Sequence, residues 1–218
     1  MHCQPKPMGN CMCEYSAAAI LKRTIVLAAL ILATVVVGTA PAVAQVAFVQ
    51  GNYAVPQTPQ ATVTVPYIAV QTAGNLNVIL VGWNDSSATV ASVTDSRGNA
   101  YTRGGAPTVL AGKASHAIYY ARNIAAAAAG ANVVTVQFSV AASFPDIRVL
   151  EYRGLDTVNP FIAGAGASGT SSTSNSGSLT TTTPNVLLVA GNVVEKKTNS
   201  AGTGFTNRMI TSPDGDIA

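Results

Sequence analysis

The side chains that could perform acid–base or nucleophilic chemistry are few in this sequence and lie far apart. After residue 44 there is one histidine, His116, and no cysteine. A Ser-His-Asp hydrolase needs a serine on a tight strand-to-helix turn. The sequence has no Gly-x-Ser-x-Gly motif, and its serine-rich stretch, 166–177, has the composition of a flexible loop. We therefore predict that His116 is structural or lies at the surface, and that the chain has no catalytic residue.

The acidic residues suggest a second chemistry, because glycoside hydrolysis uses two carboxylates that face one cleft. Glu151 and Asp146 lie in one predicted strand, but their odd spacing places them on opposite faces. Arg148 shares the face of Asp146, and Arg153 shares the face of Glu151. This pattern predicts ion pairs at the solvent-exposed edge of a strand, not a catalytic pair.

Oxygen ligands suited to calcium occur on two turns, Asp95-x-x-x-Asn99 and Asp214-Gly215-Asp216. Neither turn completes a calcium-binding loop with its distal glutamate, and ordinary turn chemistry accounts for both. The pair Cys11-x-Cys13 lacks the further ligands that a tetrahedral zinc site requires. We predict no metal and no cofactor.

A carbohydrate site would need exposed aromatic rings on which sugars stack. Trp83 is the sole tryptophan, and it shares the parity of Ile79 and Val81, which predicts a place in the core. The tyrosines that remain are too scattered to form a platform: Tyr101, Tyr119, Tyr120 and Tyr152. Carbohydrate binding, with or without calcium, stays an alternative, and its site would be formed by loops 84–89, 95–99 and 164–178.

Short apolar stretches of period two, separated by turn residues, must position all of these groups. Strands are predicted at 46–50, 61–65, 77–83, 88–94, 100–103, 115–122, 132–138, 146–152 and 186–194, with 88–103 forming a hairpin around the turn 95–99. The residues expected to be buried are Ile79, Val81, Val134, Val136, Phe138, Val149, Leu188 and Ala190.

Two stretches of biased composition separate the strands. The alanine run 125–129 is too short to nucleate a helix, so it is predicted as a loop or a single turn. The Ser/Thr/Gly-rich stretch 164–184 is predicted to be irregular over 164–176, with an edge strand at 178–182.

This pattern predicts an all-β domain over residues 45–218, an antiparallel β-sandwich of jelly-roll or immunoglobulin-like kind. Charged residues make up 10% of the chain. Three of the 12 basic residues and one of the 9 acidic residues lie before Gln45, which leaves the domain a net charge of +1. A surface this close to neutral, with no basic cluster, argues against nucleic acid as a partner.

Residues 1–44 have the composition of a signal peptide with a leader. Lys22 and Arg23 precede the apolar stretch 24–37, a hydrophobic signal helix, and Ala42-Val43-Ala44 offers the small residues that signal peptidase accepts. Cleavage is predicted between Ala44 and Gln45, with an uncleaved membrane anchor as the alternative. The true start is Met1, Met8 or Met12, and residues 1–19 are expected to pack on nothing.

Five phrases of the sequence resemble a secreted bacterial module that recurs in large exported proteins beside fibronectin-type and other β-sandwich repeats. They are GNLNVILVGWND (74–85), VTDSRGNAYT (93–102), IYYARNI (118–124), FPDIRVLEYRGLD (144–156) and TGFTNRMITSPDGDIA (203–218). The resemblance implies an exported β-sandwich and carries over no functional residue. In such modules the chain continues past the DGDIA phrase into further strands, so the resemblance implies that this domain is truncated.

Together these features predict a non-catalytic secreted or cell-surface module with a structural or adhesive role, exported by the general secretory route. Its partners would be extracellular or cell-surface proteins or glycans, and it would meet the membrane only through the signal segment. The alternative function is the carbohydrate-binding module described above.

Overall fold

The computed structural model describes residues 45–218, which form nine β-strands and no α-helix. The strands are β1 (Ala47–Ala54), β2 (Gln60–Pro66), β3 (Leu76–Trp83), β4 (Val90–Asp95), β5 (Thr102–Arg103), β6 (Thr108–Leu110), β7 (Ala114–Ala121), β8 (Val133–Ala142) and β9 (Asp146–Arg153). All strand pairs are antiparallel, which confirms the prediction of an all-β fold with antiparallel sheets. Among these residues we find no helix with the length and apolarity to span a bilayer. The predicted leader, signal helix and Ala44 lie outside the described residues.

The strands form two sheets that pack face to face as a β-sandwich. The large sheet has the order β1-β9-β3-β7-β5, with β6 also paired to β7, and the small sheet has the order β2-β8-β4. The pairing is nested, since β1 pairs with β9, β2 with β8 and β3 with β7. The longer strands therefore alternate between the two sheets along the chain.

Strand β3 lies at the centre of the large sheet, and all 8 of its residues are buried. Ile79 and Val81 face the small sheet and belong to the inner core. Val78 and Leu80 face the other way and belong to an outer core. A strand that is covered on both faces has a continuous apolar sequence, which is why the stretch 77–83 predicted a central strand correctly.

The inner core between the sheets contains most of the residues that parity predicted. Trp83 packs edge-on against Phe138, with ring centroids 5.5 Å apart, and its indole Nε1 donates a hydrogen bond of 3.1 Å to the carbonyl of Ala88. Its predicted core position is confirmed. The other predicted core residues that are buried are Ile79, Val81, Val134, Val136, Phe138 and Val149.

Irregular chain covers the outer face of the large sheet, and we call residues 187–194 and 208–218 the C-terminal cover. Leu187, Val189 and Met209 pack against the outer core. The last residues pair back on the segment before them, because the backbone groups of Met209 and Ala218 exchange hydrogen bonds of 3.1 and 3.0 Å.

Two glycines allow this cover to lie close to the sheet. A side chain at Gly82 of β3 would collide with Val193, and a side chain at Gly191 of the cover would collide with Leu80. The cover and the sheet therefore lie so close together that neither position leaves room for a side chain, and both positions are glycine.

The predicted strand 186–194 is wrong, and so is its predicted orientation. These residues pair with no strand in the described chain. Leu188 is 50% exposed and Ala190 is also exposed, whereas Leu187 and Val189 contact the outer core. Alternation correctly separated the two sets of side chains, but both sets are apolar, so the sequence did not indicate which set faces inward.

The predicted hairpin 88–103 is also wrong, although its turn forms. Asp95 Oδ1 accepts hydrogen bonds of 3.0 Å from the N–H groups of Arg97 and Asn99, and Gly98 has a φ of 72°. The flanking strands do not pair with each other, because β4 pairs with β8 in the small sheet and β5 pairs with β7 in the large sheet. The turn sequence determines the local backbone but not the strand partner.

The two stretches of biased composition are mostly as predicted. Residues 164–176 are irregular, and the alanine run 125–129 forms a loop that contains a single bridge between Ala127 and Gln71. The predicted edge strand at 178–182 does not form. Threonine favours a strand only where a sheet edge is available to pair with it.

The neighbouring leucines of the cover provide a matched test of its orientation. We expect Leu187→Ala to lower the free energy of unfolding by about 1–2 kcal/mol, because a partly buried side chain would leave a void. Leu188→Ala should change it by less than about 0.5 kcal/mol, because that side chain is half exposed. Urea denaturation followed by Trp83 fluorescence measures both, and a larger effect at Leu188 would contradict the described orientation.

Candidate functional site

Glu151 lies on the inner face of β9 and is fully buried between the sheets. Three side-chain amides donate hydrogen bonds to its carboxylate. Gln50 Nε2 is 2.7 Å from Oε2, Asn75 Nδ2 is 2.6 Å from Oε1, and Gln71 Nε2 is 3.3 Å from Oε2. Gln50 reaches it because β1 and β9 place these two residues directly opposite each other.

Amide side chains extend this cluster from the large sheet to the small sheet. Gln71 Nε2 also donates to Asn77 Oδ1 at 2.9 Å, and Gln71 Oε1 accepts from Asn132 Nδ2 at 2.7 Å. Asn132 Nδ2 then donates to Asp95 Oδ2 at 3.1 Å. We call this set the inter-sheet cluster: Gln50, Gln71, Asn75, Asn77, Asp95, Asn132 and Glu151.

Asp95 ends the inter-sheet cluster, and its carboxylate is occupied by protein donors. Besides the two turn N–H groups and Asn132, Oδ2 accepts from Asn99 Nδ2 at 2.8 Å and from the Tyr101 hydroxyl at 2.9 Å. Burial alone would raise the pKa of Asp95, but the hydrogen bonds from Asn99, Asn132 and Tyr101 outweigh it, so the pKa is lowered. These contacts make Asp95 a structural turn residue, as the sequence analysis predicted for this turn.

A second charged cluster lies on the outer face of β9, beneath the C-terminal cover. Arg148 is fully buried, and its Nε lies 2.9 Å from Asp146 Oδ1. Its two terminal nitrogens donate to the carbonyls of Ile217 at 2.6 Å and Asn192 at 2.9 Å. The predicted pairing with Asp146 is confirmed, but its predicted place at a solvent-exposed edge is wrong, because β9 lies between β1 and β3.

The other predicted ion pair, Arg153 with Glu151, does not form. Arg153 is exposed, whereas Glu151 is buried and bonded to amides. Across residues 45–218 the pair of Asp146 and Arg148 is the one ion pair present.

The cover adds a second buried carboxylate to the outer cluster. Thr211 Oγ1 donates to Asp146 Oδ2 at 2.7 Å and accepts from the N–H of Asp216 at 3.1 Å. Asp216 Oδ1 accepts from the N–H of Val194 at 2.9 Å. The pKa of Asp216 is raised to about 7, mainly by burial and in part by Asp146, against the opposing effect of Arg148. We call Asp146, Arg148, Thr211 and Asp216 the outer cluster.

His116 lies near the outer cluster, on β7 opposite Gly82. Its Nε2 is buried and has no hydrogen-bond partner. Burial, together with the neighbouring Arg148, lowers the pKa of His116 to about 3, so the imidazole is neutral at ordinary pH. A neutral histidine without a hydrogen-bonded carboxylate lacks the orientation that a catalytic base needs.

Two clefts open on the surface of the described chain. The first, about 270 Å³, is lined by Phe48, Val49, Thr72, Asn75 and Arg153. The second, about 310 Å³, lies between residues 104–109 and 164–168 and includes His116. Neither contains a nucleophile paired with a base.

The three loops proposed for a carbohydrate site do not come together. Loops 84–89 and 95–99 lie at opposite ends of β4, whose 6 residues separate them by about 20 Å. Loops 84–89 and 164–178 both contact the hairpin of β6 and β7, where Ser86 Oγ accepts from the N–H of Gly112 at 2.9 Å and Ser168 Oγ donates to the carbonyl of Val109 at 3.1 Å, so loop 95–99 is the one set apart at the far end of β4. The tyrosines also point apart, since Tyr119 packs on the inner core and Tyr120 on the outer core.

The two turns with oxygen ligands, 95–99 and 214–216, use their carboxylates for contacts within the protein. The Asp95 carboxylate accepts the five hydrogen bonds described above. In the second turn, Asp214 accepts from Gln57 Nε2 at 2.8 Å, whereas Asp216 is buried. Within the described range, 45–218, no three His, Cys, Asp or Glu side chains are grouped so that they could bind a metal ion.

Sequence reasoning missed most of the inter-sheet cluster. Its amides, Gln50, Gln71, Asn75 and Asn132, were not among the candidate residues. Asn77 begins an otherwise apolar strand at an inward position, and Asn132 directly precedes another strand. A polar residue at an inward position of an apolar strand was the available indication of a buried network.

We expect Glu151→Gln to lower the free energy of unfolding by about 2–3 kcal/mol. The substitution replaces one carboxylate oxygen with an N–H₂ group that would face amide donors, so buried donors lose their acceptor. Glu195→Gln is the matched control, because Glu195 is exposed and its replacement should change stability by less than about 0.5 kcal/mol. Urea denaturation followed by Trp83 fluorescence compares them, and equal stabilities would refute a structural role for Glu151.

Comparison with known proteins assigns no family and no function to the chain. No protein-family model matches the chain, and no curated protein or solved structure shows significant similarity to it. The two clusters must therefore be interpreted from their own contacts.

Proposed function

We propose that residues 45–218 form a non-catalytic β-sandwich module of an exported protein, with a structural or adhesive role outside the cell. The proposal combines the export features of residues 1–44 with the contacts of the charged groups in the sandwich. Its partners would be extracellular or cell-surface proteins, and the membrane would be met only through the signal segment.

One observation carries the proposal: the carboxylates of the two clusters are engaged with protein donors. Glu151 accepts three amide hydrogen bonds, Asp95 accepts five hydrogen bonds, and Asp146 contacts Arg148 and Thr211. Groups with these contacts order the fold, and none is presented to a cleft as a proton donor or acceptor for a substrate.

We further propose that the sandwich is of jelly-roll kind, not immunoglobulin-like. The nested pairing of β1 with β9, β2 with β8 and β3 with β7 supports this, because a jelly roll arises when a long antiparallel ribbon folds over into two sheets.

Binding and activity screens test the proposed function. The purified chain should give no saturable signal on a glycan array, with or without EDTA, and should release no product from ester or glycoside substrates. Its buried carboxylates contact donor groups of the protein itself, and its loops 84–89 and 95–99 lie at opposite ends of β4. Saturable glycan binding would favour the carbohydrate-binding alternative, and turnover of a substrate would refute the non-catalytic assignment.

Substitution of the small residues before Gln45 tests whether the chain is exported and cleaved. In a bacterial host the secreted chain should begin at Gln45, as mass spectrometry would show. Ala44→Arg should block cleavage, because signal peptidase requires a small residue there, whereas Val43→Leu at the tolerant position should leave cleavage intact. A wild-type product that keeps its leader would favour the membrane anchor instead.

A further inference from the structure

We propose that the outer cluster is a pH-sensitive latch: uptake of one proton binds the C-terminal cover firmly to the large sheet, and loss of that proton loosens it. The latch consists of Arg148 and Asp146 on β9 and of Asp216 on the cover.

The charge balance of the cluster is the first reason. The side chains of Arg148, Asp146 and Asp216 belong to residues that are 0%, 1% and 2% exposed. One guanidinium cannot neutralise two carboxylates, so the fully ionised cluster carries a net charge of −1 beneath the cover. An unbalanced buried charge is strongly unfavourable, and binding one proton removes it.

The two carboxylates share this proton unequally. The pKa of Asp216 is raised to about 7: burial is the largest cause and Asp146 adds to it, while Arg148 and the Val194 N–H act in the opposite direction. Burial also raises the pKa of Asp146, but the adjacent Arg148 and the Thr211 hydroxyl counteract it. These opposing influences make Asp216 the carboxylate that takes up the proton.

The neighbouring titratable groups do not supply the positive charge that this proton brings to the cluster. Asp214, on the same turn, raises the pKa of both carboxylates. His116 on β7 stays neutral, because burial and Arg148 lower its pKa to about 3. The remaining titratable side chains near the cluster are Tyr53, opposite Arg148 on β1, and the exposed Glu195, Lys196 and Lys197.

Hydrogen bonds from the cluster residues of β9 hold the cover on the large sheet. Arg148 donates to two carbonyls of the cover, those of Asn192 and Ile217, and Asp146 accepts from Thr211. Beneath them lie apolar side chains of the outer core, including Leu80 and Leu150. Loosening the cover would therefore expose an apolar sheet face.

The direction of the pH effect follows from the raised pKa. An unfolded aspartate titrates near about 3.9, so the proton bound by the closed cover contributes its full stabilisation below that pH. The stabilisation declines as the pH rises and is lost once the pH passes about 7, the pKa of Asp216 in the folded chain.

Amide hydrogen exchange of the purified full chain tests the latch, with rates corrected for the intrinsic pH dependence. At pH 5 the amides of Val194, Asp216 and Ala218 should be roughly tenfold to a hundredfold better protected than at pH 8. Amides of β8 at Val134 and Val136 should keep the same protection at both pH values. Equal protection of the cover at pH 5 and pH 8 would overturn the proposal.

Asp216→Asn separates the latch from general electrostatics. Asparagine keeps an oxygen for the Val194 N–H without a charge, so the protection of the cover should become independent of pH. Asp156→Asn, at an exposed loop position, is the control and should retain the wild-type pH dependence. Persistence of the dependence in Asp216→Asn, or its loss in Asp156→Asn, would refute the latch.

A direct titration covers the case in which Asp216→Asn fails to fold. The carboxyl carbon of Asp216 in the wild-type chain, followed by nuclear magnetic resonance, should titrate with a midpoint near about 7. A midpoint below about 4 would overturn the proposal, because the cluster would then be almost fully ionised at both pH values.

Discussion

The fold depends on the burial of charge on both faces of one strand, β9. Glu151 faces the small sheet, whereas Asp146 and Arg148 face the C-terminal cover. A buried charge must be matched by hydrogen bonds or by an opposite charge. Each side of β9 therefore requires partners from other parts of the chain, and these partners determine what lies above and below the large sheet.

The two faces meet this requirement differently. On the inner face, Glu151 accepts from neutral amides of β1 and of the segment 71–77, and Asn132 continues the chain of hydrogen bonds from Gln71 to the small sheet, so the cluster connects the two sheets without a basic partner. On the outer face, the guanidinium of Arg148 pairs with the carboxylate of Asp146 and also donates to backbone carbonyls of the cover, and a second carboxylate, Asp216, is buried nearby. The inner arrangement suits a permanent structural contact, whereas the outer arrangement contains a carboxylate, Asp216, whose pKa is raised to about 7.

Alternation in the sequence predicted which side chains share a face, and it did so well for the strands of the sheets. The inward positions of β3, β8 and β9 were correct because their two faces differ in composition or are both covered. Alternation failed for 186–194, where both sets of side chains are apolar and no strand is present to pair with them. It also placed 88–94 and 100–103 in one hairpin, because the partner of a strand is chosen by distant residues and not by the turn.

The charged positions were harder to predict than the apolar ones. Charged residues are usually exposed, so Arg148 and Glu151 were expected at a solvent edge. Their burial follows from the position of β9 between β1 and β3, which depends on the pairing of strands about a hundred residues apart. Three amides of the inter-sheet cluster, Gln71, Asn75 and Asn132, come from loops whose positions that pairing determines, and local sequence patterns do not contain this information.

The nested arrangement of the strands also has a consequence for the order in which the chain acquires its structure. Loop-closure entropy favours contacts between residues that are near in sequence, so β3 and β7 should associate before β2 and β8, and β1 and β9 should associate last. The first strand of the domain to emerge during synthesis is thus the last to find its partner. Until β9 follows it, β1 remains an unpaired ribbon, and this interval is when the nascent chain is most vulnerable to aggregation.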